Sequence, residues 1–144
     1  GADVGAADLG RPRRRKAARG LARIDVTIDV VLTSPLVRTR QTAEIVASGL
    51  DPRPSIVNVE SLKPDGSYAA VIADLDKHSR KCRIALVGHE PMIGELAARF
   101  IGSRHPIEFK KGAVCRIDVV DLPPAGPGEL RWLLTPRILR APKK

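Results

Sequence analysis

Ser34 and Arg38 are the residues whose types and positions best suit a binding or catalytic role. They lie where an apolar run, Val30 to Leu32, ends and a helical pattern begins. Ser34 is a suitable helix N-cap, and Pro35 suits the first helical position, where no N–H is needed. Backbone N–H groups at a helix start and a nearby guanidinium would present positive charge to one point. The stretch therefore predicts a phosphate-binding site.

A second candidate, His89, follows an apolar run at 83–87 and Gly88. A Glu-Pro pair comes next, and a strongly helical pattern follows it. In α/β folds, ligands bind beyond the carboxyl ends of the strands. The two strand-to-helix junctions are therefore expected to contribute to the same anion site.

Both candidates also have a plainer interpretation. Arg38 could be a solvated helix residue, although an arginine in a first turn opposes the helix dipole unless an anion lies there. A single histidine in a loop is usually just hydrogen-bonded locally. Two other histidines, His78 and His105, lie in polar links and are predicted to be exposed, and Cys82 and Cys115 are predicted to be core or near-core thiols.

The composition limits the function classes. The chain has 144 residues, 43% of them hydrophobic, and a net charge of +9. Its basic clusters at 11–19 and 137–144 lack the interleaved aromatic residues of single-strand binders, so an anionic substrate or partner is favoured over nucleic acid. No run approaches the length of a membrane span, and two irregularly spaced cysteines predict no disulfide framework or zinc site. A cytoplasmic protein with reduced thiols is expected.

Helical and strand patterns alternate along the chain, which predicts an α/β sandwich with a largely parallel sheet in a single domain over 1–144. Residues 1–12 and 106–112 are predicted to be loops. Strands are predicted at 28–32, 56–59, 83–87, 114–120 and 129–134. Helices are predicted at 13–24, from Ser34 to about Gly49, at 67–75 with Ala69, Ile72 and Ala73 inward, and after His89 with Ile93, Leu96, Ala97 and Phe100 inward.

Two of these stretches resemble a known family. Ser34-Pro-Leu-Val-Arg38-Thr-Arg-Gln41-Thr-Ala43 is similar to the S-P-x-x-R-x-x-Q-T-A signature of the histidine phosphatase superfamily, whose fold is phosphoglycerate-mutase-like. Val87-Gly-His89-Glu-Pro resembles the second histidine motif of that superfamily. The small size, the segment at 109–114 and the Asp8, Arg11-Pro12 pattern resemble the phosphohistidine phosphatase SixA branch. The resemblance covers about residues 8 to 120.

The resemblance implies roles for particular residues. Arg38 would bind the phosphoryl oxygens, and His89 would hydrogen-bond the same group and stabilise charge in the transition state. Ser34 and Gly88 would support the two junctions. Glu60, at a predicted strand end, is a weak candidate for the general acid and is more simply explained as structural.

It also implies partners and chemistry. The substrate would be phosphohistidine in a signalling protein or a related small phosphomonoester, with no nucleic acid or membrane involved. No metal or cofactor is expected, because arginine and histidine supply the positive charge. Nothing in the sequence indicates an oligomeric state.

One part of the family pattern is absent. The superfamily's attacking group is the histidine of an R-H-G motif at the end of the first strand, and the sequence contains no R-H-G. The first central strand is likewise expected to be missing, with Gly1 as a candidate for the glycine after that histidine. The domain is thus expected to be incomplete at its N-terminus and, as printed, nearly inactive.

Three explanations of this gap remain open. Residues of the natural protein are missing from the sequence, which we favour; or the chain is a non-catalytic relative that binds phosphate or a phosphoprotein; or another histidine substitutes. The last is the least favoured, because His78 and His105 do not lie at predicted strand ends.

Overall fold

A six-stranded sheet with α-helices on both faces makes up most of the part of the chain that the computed structural model describes, which comprises residues 2–6, 19–20, 26–109, 113–124 and 126–134. The strands are β1 (Ala2–Ala6), β2 (Val30–Thr33), β3 (Ser55–Asn58), β4 (Ile84–Gly88), β5 (Val114–Asp118) and β6 (Glu129–Leu134). The helices with described bounds are α1 (Val37–Ser48), α2 (Tyr68–Asp76) and α3 (Met92–Phe100), and a 3-10 turn spans Glu60–Leu62.

The sheet has the order β3-β2-β4-β1-β5-β6. β3, β2, β4 and β1 run parallel to one another, whereas β5 is antiparallel to β1 and β6 is antiparallel to β5. Parallel neighbours need a crossover connection, and α1 lies between β2 and β3 and α2 between β3 and β4. The predicted α/β sandwich with a mostly parallel sheet is confirmed.

One expectation about the sheet is wrong. The first central strand is present, because Ala2–Ala6 pairs with β4 on one side and with β5 on the other. Residues 2–6 are therefore not part of a loop, and Gly1 precedes the strand rather than following it. The sequence did not predict this strand, because Ala-Asp-Val-Gly-Ala has a single large apolar residue. Its conformation depends on the strands with which it pairs.

Two apolar clusters lie on opposite faces of the sheet, as the alternation of side chains along a strand requires. Val30 and Leu32 belong to the cluster that includes Phe100 of α3, whereas Val31 belongs to the cluster that includes Ala43 of α1. β2 and β4 are buried on both faces and consequently read as continuous apolar runs. This packing holds the carboxyl ends of β2 and β4 side by side.

The helices lie where the sequence predicts them, but the buried face agrees with the prediction in α3 and only partly in α2. The inward face of α3 is confirmed, since Ile93, Leu96, Ala97 and Phe100 are all buried. The inward face predicted for α2 is wrong at Ala69 and Ala73, which are exposed, whereas Ile72 is partly buried and packs against the core. The buried residues of α2 are Val71 and Leu75. The apolar residues of α2 are dense enough to allow more than one face, and the sheet selects the one with larger side chains.

Some of the remaining predictions are confirmed and others are not. Arg19 and Gly20 are helical, and the rest of the helix predicted at 13–24 lies outside the described residues. Cys115 is buried as predicted, but Cys82 is exposed. No helix among the described residues is long and apolar enough to cross a membrane.

Candidate functional site

The two strand-to-helix junctions meet at one edge of the sheet. Thr33 is the register partner of Val87, and the backbone N–H of Ser34 extends this pairing by donating to the Val87 carbonyl at 3.0 Å. The next residues leave the sheet together, which brings His89 Nε2 to 2.9 Å from Ser34 Oγ. Ser34 and His89, 55 positions apart in the sequence, are thus hydrogen-bonded.

Ser34 has a different local role from the one predicted. Helix α1 begins at Val37 with Leu36 as its N-cap residue, so Ser34 is not the N-cap. Its hydroxyl instead accepts a hydrogen bond from the Leu36 N–H at 3.3 Å in the turn before the helix, and its carbonyl accepts one from Thr39 Oγ1 at 3.1 Å. Ser34 is fully buried. These contacts hold the junction in place and direct the hydroxyl towards His89.

Arg38 lies in the first turn of α1, one residue after the helix begins. The residue is exposed, and no acidic residue lies in that turn. Its position is therefore at the same sheet edge as Ser34 and His89, where α1 starts. The phosphate-binding role of Arg38 stays a prediction.

Gly88 is the buried last residue of β4 and the register partner of Ala6 in β1. A Cβ at this position would lie 3.2 Å from Ile93 Cδ1 and 3.4 Å from the Leu62 carbonyl oxygen. The first distance is tighter than most Cβ contacts and the second is at the limit of ordinary contact, so a larger residue would require the Ile93 side chain to shift. Gly88 thus allows the close packing that sets the path of the chain into His89.

Glu60 starts the 3-10 turn, and its side chain is 77% exposed. Its carboxylate forms an ion pair with Lys63 Nζ at 2.8 Å. The hydrogen bond to Glu60 and the negative charge of Glu60 raise the pKa of Lys63. These contacts favour the structural interpretation of Glu60 over the general-acid one.

Glu90 is a residue that the sequence reasoning did not select. Its Oε1 accepts the Gly94 N–H at 3.0 Å, so the carboxylate ties the residue after His89 to the first turn of α3. Burial raises the pKa of Glu90, hydrogen bonds from the backbone of Gly94 and Phe109 lower it, and the charges of Glu95 and Glu108 raise it. An acidic residue just before a helix-starting proline is the sequence signal that could have identified it.

Replacing Glu90 by Gln is expected to change how stability depends on pH. Because the folded state raises the pKa of Glu90, it holds the proton more tightly than the unfolded chain. The free energy of unfolding should therefore fall as the pH rises from the ordinary glutamate value through the raised one. Glu90→Gln should remove this fall and leave stability at neutral pH equal or higher. Urea unfolding across the acid range measures both.

A uniform loss of stability in Glu90→Gln at every pH would contradict this expectation. It would mean that the carboxylate contributes mainly as an acceptor for Gly94 and Phe109. Glu44→Gln is the matched control, because Glu44 is an exposed glutamate on α1 paired only with Arg40 among the described contacts.

Replacing Ser34 by Ala is expected to weaken oxyanion binding several-fold and to lower the free energy of unfolding by about 1 kcal/mol. The change leaves His89 Nε2 and the Leu36 N–H without the hydroxyl that each now contacts. Tungstate titration followed by the imidazole NMR signals of His89 measures binding and ring environment together. Ser48→Ala, which removes an exposed hydroxyl of α1, is the control. Equal tungstate affinity in the two variants would rule out a positioning role for Ser34.

The other candidate side chains lie elsewhere. His105 is exposed and His78 is half-buried after α2, so neither follows a strand. Within the described ranges, no three His, Cys, Asp or Glu side chains form a group that could hold a metal ion. The polar groups brought together at the sheet edge are thus a hydroxyl and an imidazole, with an arginine in the adjoining helix turn. This combination suits an oxyanion.

Comparison with known proteins agrees with the family resemblance of the two motifs. Residues 1–63 match the histidine phosphatase superfamily (branch 1). The chain is 36% identical over 110 residues to an uncharacterized protein of Picosynechococcus sp., covering 73% of this chain and 66% of that protein, so it spans about two thirds of the relative's length. It is 29% identical over 120 residues to the phosphohistidine phosphatase SixA of Escherichia coli, covering 82% of this chain and 73% of that protein.

The fold comparison extends over nearly the whole chain. The structure of the protein histidine phosphatase SixA complexed with tungstate superposes with a TM-score of 0.82 at 23% identity, covering 96% of this chain and 98% of that one. A phosphoglycerate mutase of Plasmodium falciparum superposes with a TM-score of 0.65 at 15% identity, covering 91% of this chain and 89% of that one. At these identities the likeness establishes the fold.

Proposed function

This chain belongs to the histidine phosphatase superfamily, in its SixA branch, and we propose on that premise that Arg38 and His89 bind the phosphoryl group of a phosphorylated protein. The complete site would hydrolyse phosphohistidine, or a related phosphomonoester, in the manner of a SixA-type phosphatase. The observation that carries the proposal is the 2.9 Å contact between His89 Nε2 and Ser34 Oγ, which joins the two motifs at one sheet edge.

The proposed chemistry follows from the side chains. The Arg38 guanidinium would hold two phosphoryl oxygens through charge-assisted hydrogen bonds. His89, whose ring is oriented by its contact with Ser34, would hydrogen-bond the same group. Fixed donors of this kind stabilise the charge that spreads over the oxygens during phosphoryl transfer, without needing to reorganise.

The 144 residues do not contain the attacking group that the family uses. In the superfamily a histidine of an R-H-G motif takes the phosphoryl group and water then releases it. The sequence contains no R-H-G. We therefore propose that these 144 residues bind a phosphoryl group and that hydrolysis depends on a histidine outside them.

A second candidate function is a non-catalytic phosphoprotein-binding relative. It is favoured by one observation: Ala2–Ala6 of this chain already occupies the central strand position between β4 and β5. An upstream strand ending in R-H-G would have to displace β1 to reach that position. Reading the genomic sequence upstream of Gly1 distinguishes the candidates, because an intact reading frame that begins without R-H-G would exclude the SixA-type hydrolase.

The substrate class is tested by competition. Phosphohistidine-bearing protein, p-nitrophenyl phosphate and a sugar phosphate are each used to displace tungstate from the chain. The proposal expects the phosphoprotein to compete at the lowest concentration, because a protein surface adds contacts around the phosphoryl group. Stronger competition by the small esters would overturn the protein-substrate assignment. The cytoplasm is the proposed location.

A further inference from the structure

A pocket of about 250 Å³ lies beside the candidate site and is not used by it. Its lining is formed by the start of α2 and by one face of α3: Gly66, Ser67, Tyr68, Met92, Glu95, Leu96 and Arg99. Both helices start at the edge of the sheet where β2 and β4 end. One lining residue, Met92, starts α3 three residues after His89, and the Ile93 N–H donates to the His89 carbonyl at 2.8 Å.

The pocket has an apolar floor and a polar rim. Met92 and Leu96 are buried and form the floor, whereas Glu95 and Arg99 are exposed. The Arg99 guanidinium lies 3.9 Å from the centroid of the Tyr68 ring, so it covers one wall of the pocket. The edge of the guanidinium can then donate hydrogen bonds. Glu95 and Arg99 are the exposed residues of α3, and both line this pocket.

The size and lining fit a side chain better than a whole small ligand. Pockets that enclose small ligands usually have volumes of roughly 300–1,000 Å³, so this one is at or below the lower limit. Protein interfaces, in contrast, commonly place one apolar or aromatic anchor in a small dry pocket with a polar rim. The backbone of a bound polypeptide could donate to Glu95 and accept from Arg99, which fixes its direction.

We propose that this pocket, the α2–α3 pocket, binds an apolar side chain of the phosphorylated polypeptide, close in sequence to the phosphorylated residue. Met92 is about one helical turn, roughly 5 Å, from His89. An extended polypeptide covers that distance within a few residues, at roughly 3.3 Å each. The inference rests on the proposed function, because it assumes that the phosphoryl group lies at Arg38 and His89, and it adds the determinant of protein specificity.

Two residues of the pocket are unique spectroscopic reporters. The sequence has one methionine and one tyrosine, and these are Met92 and Tyr68. A chain labelled with ¹³C at the methionine methyl and prepared by cleavage of a tag gives a single methyl signal, from the pocket floor. Tungstate binding is followed separately through the imidazole signals of His89.

The experiment titrates the full 144-residue chain with short peptides that carry a stable phosphonate analogue of phosphohistidine. One peptide has Leu near the analogue, and its partner has Ala there. The Leu peptide is expected to bind about fivefold tighter or more, in keeping with a buried anchor, and to shift the Met92 methyl signal. Equal affinity for the two peptides, or an unshifted Met92 signal, would overturn the proposal.

A pocket-filling variant gives an independent check. Glu95→Trp places a large ring at the rim and should abolish the preference for Leu while leaving tungstate affinity unchanged. Ala73→Trp, at an exposed position of α2 outside the pocket, should retain the preference. A preference for Leu that survives in Glu95→Trp would overturn the proposal.

The outcomes separate this inference from the proposed function. Tungstate binding at His89 with no discrimination between Leu and Ala peptides refutes the pocket and leaves the phosphoryl site standing. A Met92 shift that discriminates between the peptides without any tungstate binding refutes the phosphoryl site, and it leaves the pocket as a side-chain site with no link to a phosphorylated residue. Binding of neither refutes both.

Discussion

The 144-residue chain is expected to bind tungstate or phosphate without measurable hydrolysis of phosphohistidine protein or of p-nitrophenyl phosphate. Removing the nucleophile of an unrelated hydrolase lowers turnover by about 10⁶-fold, and a site that only stabilises charge should show a deficit of that order. Phosphate release from ³²P-labelled phosphohistidine protein measures it. Turnover well above background would show that another group attacks the phosphoryl phosphorus.

A gain-of-function variant makes the same prediction sharper. In the superfamily the attacking histidine ends the first strand, and β1 ends at Ala6, whose register partner Gly88 precedes His89. The triple variant Ala7→Arg, Asp8→His, Leu9→Gly places R-H-G directly after β1. Phosphate release should rise at least about 100-fold above the unsubstituted chain, because nucleophilic attack becomes available.

The matched control carries Ala7→Arg and Leu9→Gly but retains Asp8. It adds the same positive charge and the same glycine without an imidazole. If the control and the triple variant release phosphate at equal rates, the gain does not come from nucleophilic attack by a histidine. If neither exceeds the unsubstituted chain while tungstate still binds, the β1 register does not place residue 8 at the site, and the non-catalytic function is favoured.

Replacing Arg38 by Ala is expected to weaken tungstate or phosphate binding by about 10- to 150-fold, which corresponds to the roughly 1.5–3 kcal/mol of a hydrogen bond to a charged group. Arg38→Lys should lose part of that affinity, because an ammonium keeps the charge but cannot donate two parallel hydrogen bonds. Stability should change little, since the residue is exposed. Calorimetric titration of each variant measures the affinities.

Arg40→Ala is the control for this prediction. Arg40 lies two residues further along α1, and its guanidinium donates to Glu44 at 3.0 Å and to Asn58 at 2.9 Å. Its removal deletes an identical charge from the same helix, so a general electrostatic effect would appear equally in both variants. Equal loss of affinity in Arg38→Ala and Arg40→Ala would contradict a specific role for Arg38.

The local sequence was sufficient for the elements that are buried on both sides or strongly amphipathic. β4 could be predicted because its continuous apolar run is short and ends at turn residues, and the inward face of α3 because its apolar residues recur with the helix period. Residue types and spacing predicted an anion site at the two junctions, and the resemblance to the histidine phosphatase superfamily implied the roles of Arg38 and His89. α2 could not be oriented in this way, because Val71, Leu75 and the alanines around them allow two faces and only packing on the sheet selects one.

What the sequence determined by itself was the alternation of elements and the two motifs after β2 and β4. Only the tertiary structure decided that Ser34 is not a helix cap but a partner of His89, because that hydrogen bond depends on the parallel register of β2 with β4. Only the structure placed Ala2–Ala6 at the centre of the sheet, since five residues with one large apolar side chain acquire their conformation from neighbouring strands. Strand pairing depends on partners that are distant in the sequence, so a local pattern cannot predict it.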